Sequence, residues 1–162
     1  MWYAILGAVL LAGDQILKYW VVTHLAVGES APFLPGFMQL TRLHNYGAAW
    51  SSLSGRTVLL VVFTAVLLAA VALLLIKKVV RHWTGITACT LILSGGIGNI
   101  IDRIVHGYVV DMFDLQLFSY PVFNLADCCV VVGAILGGIY YLFLYEKYDK
   151  KKKESDHAHD PS

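Results

Sequence analysis

The chain has 162 residues, room for one domain, and 58% of them are apolar with a mean hydropathy of +0.68, which is too greasy for a soluble core of this size and makes lipid the expected solvent. A net charge of +1, with the basic residues in separate clusters, gives no stripe for nucleic acid, so no nucleic-acid partner is expected. Cys89, Cys128 and Cys129 lie in apolar stretches without a C-x-x-C pair and read as packing groups, the histidines show no metal-binding spacing, and neither a metal nor a cofactor is expected.

Trp2 to about His24 is apolar, opens without a basic segment and lacks a small-x-small cleavage pattern. It reads as a retained span and not as a cleaved leader. The stretch from there to Arg56 contains Pro32, Pro35 and Gly36 and a partly alternating run from Phe37 to His44, which predicts a small strand-bearing lobe outside the bilayer. Trp50 is expected at the membrane interface. Thr57 to Ile76 carries no charge, and as a helix it would be ~30 Å long, the thickness of the hydrocarbon core. After a short basic loop with Lys77, Lys78, Arg81 and His82, a third span runs from about Trp83 to Val105. A fourth runs from about Phe123 to Tyr145, with Gly133 and Gly137 at the four-residue spacing that lets helices approach closely. Residues 149–162 form a polar tail, with His157 and His159, that is expected to be disordered. The predicted fold is an all-α membrane protein with four transmembrane helices and a small periplasmic β-containing lobe, residues 1–148 forming the domain.

Orientation follows from the basic residues, because loops rich in Lys and Arg stay in the cytoplasm. The 77–82 loop and the tail, with Lys147 and Lys150 to Lys153, hold eight of the twelve, against Arg42 and Arg56 in the opposite loops. Both termini are therefore expected in the cytoplasm, with the 25–56 and 106–122 loops on the far side. The lysine run marks topology and contact with anionic membrane lipids.

An ionisable residue inside a span costs a few kcal/mol on insertion scales (~3 for an aspartate at the helix centre), so each is a functional hypothesis. Asp14 lies ~18 Å along the first helix and Asp102 ~27 Å along the third, both in the outer half of the membrane. Asp127 reaches the same level from the other direction, and Asp111 belongs to the loop just above. Asn99, Asp102 and Arg103 stand at i, i+3 and i+4, Asn124 and Asp127 at i and i+3, and Asp14 and Lys18 at i and i+4, so each set shares a helix face. Internal salt bridges that hold the bundle together account for Asp14, Lys18 and Arg103 as well as a chemical role does. They account less well for Asp111 and Asp127, which have no basic neighbour in sequence. Two carboxylates at a membrane surface suit an aspartyl-protease mechanism, in which one stays neutral while the other activates water. A small proton-coupled transporter or channel subunit is the rival reading.

Five ordered blocks then decide: Asp14-Gln15 followed by Lys18, NYGAAW from Asn45 to Trp50, GGIGNIIDR from Gly95 to Arg103, VVDMFD from Val109 to Asp114, and FNLAD from Phe123 to Asp127. On these the chain resembles the lipoprotein signal peptidases, or signal peptidase II, of bacterial inner membranes. The resemblance implies an aspartyl endopeptidase that cleaves prolipoproteins on the amino side of a diacylglyceryl-modified cysteine. It implies Asp111 and Asp127 as the catalytic pair, with Asp14, Asn45, Gly47, Asn99, Arg103 and Asn124 positioning substrate or the aspartates, and an active site on the periplasmic side. Trp50, Met112 and Cys128 depart from the usual phenylalanine, phenylalanine and serine, which bears on packing more than on chemistry. The Gly-x-Gly-Asp of presenilin-type sites and the Gly-x-Ser-Gly of rhomboids are missing here. A Ser/Lys signal peptidase built from Lys18 with Ser51 or Ser52 is the remaining protease alternative. The expected partners are the lipidated substrates and membrane lipids, entered from the side with the Asn45 to Ser54 segment lying over the site, and the expected state is a monomer.

Overall fold

A computed structural model describes residues 1–47 and 55–150. Trp50, Ser51, Ser52 and the rest of the 48–54 stretch lie outside the described residues, as do His157 and His159. Along the chain run α1 (Trp2–His24), β1 (Ser30–Leu34), β2 (Met38–Asn45), α2 (Thr57–Ile76), α3 (Trp83–His106), β3 (Val109–Leu115) and α4 (Leu125–Ile139), the last continuing as a π-helix over Tyr140–Lys150. Among the described residues four helices are long and apolar enough to cross a membrane: α1, α2, α3 and the combined Leu125–Asp149. The expected four-span membrane fold with a small β-bearing lobe is the one found.

α3 is the central helix, packed against α1, α2 and α4. Its glycines explain why, since lipid gives helices no hydrophobic reason to associate and close van der Waals approach must do so instead. A Cβ added at Gly95 would strike the Ala126 carbonyl oxygen on α4, and one at Gly133 would lie 2.9 Å from the Ala88 carbonyl oxygen on α3. Gly137 is different. Its added Cβ would meet only the Ala88 Cβ, at 3.8 Å, so the close crossing depends on Gly95 and Gly133 and not on the Gly133/Gly137 pair. α2 docks more lightly, burying Leu60 and Leu68, with Leu68 seated over Gly96. Away from that seam α2 turns Val58, Leu59, Val62, Phe63, Val66 and Leu73 outward, as a lipid-facing helix does.

The lobe is a three-stranded antiparallel sheet in the order β1-β2-β3. β3 pairs with β2 so that Asp111 stands opposite Leu43 and Val109 opposite Asn45. Residues 106–122 are thus not all loop, as the sequence suggested. Val110 and Met112 are buried against Val21 and Leu25 of α1, and Asp111 between them is buried too. With both faces covered, the strand shows none of the apolar and polar alternation that reveals a half-exposed one. Gly107 makes the short link from α3 to β3 possible. It caps α3 in the left-handed conformation, φ +79°, with its N–H donating to the Arg103 carbonyl, a conformation that costs glycine nothing.

At the other end of the bundle, Asp149 is buried, although its position in sequence places it with the polar tail. Its carboxylate accepts from the backbone N–H groups of Arg81 (3.0 Å) and His82 (3.1 Å) and from the Tyr140 hydroxyl. The last helix thereby caps the start of α3, where the positive end of the helix dipole favours an anion.

Candidate active site

The site rests on a buried cluster of charge between α1 and α3. Lys18 lies 2.9 Å from Asp14 Oδ2 and 3.0 Å from Asp102 Oδ2. Gln15 donates to Asp14 Oδ2 at 3.2 Å and to Asp102 Oδ1 at 3.1 Å. The remaining oxygens hold backbone from elsewhere: Asp14 Oδ1 accepts from Ala126 N–H at 2.9 Å, and Asp102 Oδ2 accepts from Val110 N–H at 3.0 Å. One cluster therefore fixes the start of α4 and the start of β3 against the same two helices. Removing a single member strands the others, a loss of about 3–5 kcal/mol for a buried pair.

Above this cluster the two remaining intramembrane-level acids come together from different elements. Asp111, on β3, accepts from Asn45 Nδ2 at 2.9 Å and from Asn124 Nδ2 at 2.7 Å. Asp127, in the first turn of α4, accepts from Asn99 Nδ2 at 2.8 Å and from the Asn124 backbone N–H at 3.3 Å. Asn124 also caps α4, its Oδ1 taking the Asp127 N–H at 2.8 Å, so the two residues form a reciprocal capping box. The same asparagine thus touches both acids. Burial pushes the Asp111 carboxyl up to about 7; the negative charge of Asp127 acts in the same direction, and the amides of Asn45 and Asn124 and the charge of Lys18 oppose it.

Both acids line a cavity of about 440 Å³ walled by Thr64 and Leu67 of α2, Asn99 and Arg103 of α3, Val130 and Val131 of α4, and the Tyr120 to Phe123 segment. Its lining combines the acids and amides with apolar side chains such as Leu67, Val130 and Val131. Arg103 does not bond either acid. Its guanidinium donates to the carbonyls of Asn99, at 3.2 Å, and Gly47, at 2.8 Å, tying the end of β2 down beside the cavity. Gly47 N–H in turn donates to Asn45 Oδ1 at 2.9 Å, which leaves the Asn45 amide nitrogen facing Asp111.

Of the residues singled out from sequence, Asn45, Asn99, Arg103, Asp111, Asn124 and Asp127 converge, and Gly47 joins them through its backbone. Asp14 stands apart: it is buried beneath the site, does not line the cavity, and acts through Ala126 and Lys18. Asn99 and Arg103 face the cavity together, while Asp102 turns toward α1 and β3. Sequence reasoning placed Gln15 in a motif without a role, although it bridges Asp14 and Asp102, and missed the third contact of Lys18, to Asn99 Oδ1 at 3.1 Å. The only sequence sign of that contact was the Asp14/Lys18 spacing, which shows one partner of the lysine and hides two. Among the described residues no three histidine, cysteine or carboxylate side chains gather in a metal-holding arrangement.

A family model described as Signal peptidase (SPase) II matches residues 6–143. A lipoprotein signal peptidase of Enterococcus faecalis is 41% identical over 151 residues, covering 93% of this chain and 93% of that protein. One from Lactococcus lactis is 38% identical over 143 residues, covering 88% of this chain and 91% of its own. Two solved structures described as bacterial membrane enzymes superpose with a TM-score of 0.80 each. They are 31% and 33% identical and cover 99% and 88% of this chain and 93% of each of theirs.

Proposed function

The chain belongs to the signal peptidase II family, multi-pass bacterial membrane proteases that remove signal peptides from lipoproteins, and we propose that it does so as an aspartyl endopeptidase with Asp111 and Asp127 as the catalytic pair. The observation that carries this reading is the sharing of Asn124 by two buried carboxylates that line one cavity. Like charges held this close resist ionising together. Asp111, pushed up to about 7, is the acid that keeps its proton. Asp127, in the first turn of α4 and supplied with the Asn99 amide and the Asn124 backbone N–H, is the one that carries the charge, since a helix N-terminus favours an anion.

Water between the acids gives a proton to Asp127 as its oxygen attacks the scissile carbonyl carbon. Asp111 donates a hydrogen bond to the carbonyl oxygen and steadies the charge that develops there. The tetrahedral intermediate collapses with cleavage of the C–N bond, and Asp127 returns the proton to the departing amine. The bond cut lies on the amino side of the diacylglyceryl-modified cysteine. Substrate approaches from the side, with its acyl chains against the apolar residues of the cavity. The site lies on the periplasmic face, both termini are cytoplasmic, and the enzyme works as a monomer in contact with membrane lipids. The lysine distribution supports that orientation.

Purified protein given a diacylglyceryl-modified prolipoprotein peptide and its unlipidated twin tests the assignment. The lipidated peptide should be cut before its cysteine and the other hardly at all. Equal cutting of both, or binding without cleavage, would count against it.

A further inference from the structure

Three asparagines donate to the two acids, and each does so only in one rotation of its amide. The oxygen and nitrogen ends of an amide are nearly the same size, so neighbours decide which end faces where. For Asn45 the Gly47 N–H fixes the oxygen end, and for Asn124 the Asp127 N–H does. Asn99 has no backbone N–H in that place. Its oxygen faces Lys18 Nζ at 3.1 Å and Asn124 Nδ2 at 3.2 Å; Asn124 gives its other amide hydrogen to Asp111 Oδ1, at 2.7 Å, so Lys18 is the charged one of two donors that hold the oxygen end of Asn99. An ammonium group can only donate.

Resting on the dyad proposed above, we propose that Lys18 is a positioning residue for the reaction: by occupying the oxygen side of Asn99 it keeps that amide's N–H aimed at Asp127. Lys18 is buried, stays off the cavity wall, and spends its three donors on Asp14, Asp102 and Asn99, so nothing is left to touch substrate. The two rotations of Asn99 favour opposite states of Asp127. With nitrogen inward the amide donates to a carboxylate; with oxygen inward it accepts from a carboxylic acid. Lys18 thereby selects the ionised Asp127 that a general base must be. The titratable or charged groups around this pair are Asp14 and Lys18 from α1, Asp102 and Arg103 from α3, Asp111 from β3, Tyr120 across the cavity and Cys128 beside Asp127.

Removing a buried cation also changes the local field, so the test must separate orientation from charge. In Lys18→Met/Asp102→Asn the cluster of Asp14, Lys18 and Asp102 keeps its net charge of minus one, and the residue at 102 keeps an oxygen for Val110 N–H. The expected result in the full-length detergent-solubilised enzyme is an acid limb of the kcat/KM profile about one pH unit higher, roughly a tenfold loss on that limb, with kcat reduced and KM little changed. A folded double variant with the wild-type limb overturns the proposal. A measurement on the wild type serves if that variant does not fold: with ¹⁵N-asparagine labelling, the Asn99 side-chain NH₂ resonance should move with the midpoint of the acid limb. A resonance indifferent to that titration overturns the proposal as well. Failure of the dyad itself looks different, since Asp111→Asn and Asp127→Asn would then remain active whatever Lys18 does.

Discussion

Replacing Asp111 by asparagine should abolish cleavage and, at the same time, reverse sign in its effect on stability between acid and alkaline pH. The folded protein holds the Asp111 proton up to about pH 7, whereas the ordinary carboxyl value is 3.8. Between those values the folded state binds more protons than the unfolded chain, so this residue's contribution to stability falls as pH rises and is fully lost above about 7. At ~1.4 kcal/mol per pH unit the whole loss is ~4 kcal/mol. The amide does not titrate, so the variant lacks that slope. It has its own cost, because Asn45 and Asn124 donate to the two carboxyl oxygens and an amide offers a single acceptor atom, leaving one donor unsatisfied for ~1–3 kcal/mol. The variant should therefore be less stable than wild type by that amount near about pH 4 and more stable by ~1–3 kcal/mol near about pH 8. Thermal unfolding of both proteins in detergent across this range, with turnover measured alongside, reads both effects. A variant that keeps the wild-type slope refutes the buried proton, and one that keeps more than about a tenth of wild-type turnover, against the hundredfold or larger loss usual for a general acid or base, refutes the assignment of the dyad.

Asp127→Asn should be as inactive as Asp111→Asn, and the double variant scarcely worse than either, because on the proposed mechanism the two acids act as one unit; losses that multiply would show two independent roles. The wild-type rate should follow a bell in pH whose two limbs belong to the pair, and a single sigmoid would argue against it. Gly95→Ala should destabilise the protein by ~1–3 kcal/mol through collision with the Ala126 carbonyl, while Gly137→Ala should change its melting little, and equal effects would refute the proposed crossing. Single cysteines in the 25–56 and 106–122 loops should react with an impermeant maleimide from the periplasm and those in the 77–82 loop should not; labelling of the 77–82 loop first would overturn the orientation.

The spans were legible because lipid imposes a length and a composition that a reader can count, and the uncharged run from Thr57 to Ile76 coincides with α2. The start of α4 is legible in finer detail. Asn124 with an acid three residues later is a capping signature, and it puts the first helical residue at Leu125, not Phe123. Partnerships across the fold were another matter. Asn45 and Asp111 are 66 residues apart and Lys18 and Asn99 are 81 apart, and no local periodicity records which strand face or helix face will meet. β3 was hidden for a related reason: being covered on both sides, it carries no alternating pattern.

Depth in the membrane alone could not choose among Asp14, Asp102, Asp111 and Asp127, which all fall near one level, and the donors around each make the distinction. Asp14 and Asp102 spend their oxygens on Lys18, Gln15 and the backbone N–H groups of Ala126 and Val110, and neither faces the cavity. Among the described residues, Asp111 and Asp127 receive only neutral amide donors, and both line it. A general base must be reached by the water whose proton it takes, and a general acid must reach the carbonyl it polarises. The first pair meets neither condition and the second can meet both. The cost of burying the first pair with its lysine is then a cost of placement. It sets the α4 terminus that carries Asp127 and the strand that carries Asp111 at a fixed separation, on helices and a strand and not on a free loop, which is the rigidity that the proposed pair of acids would require.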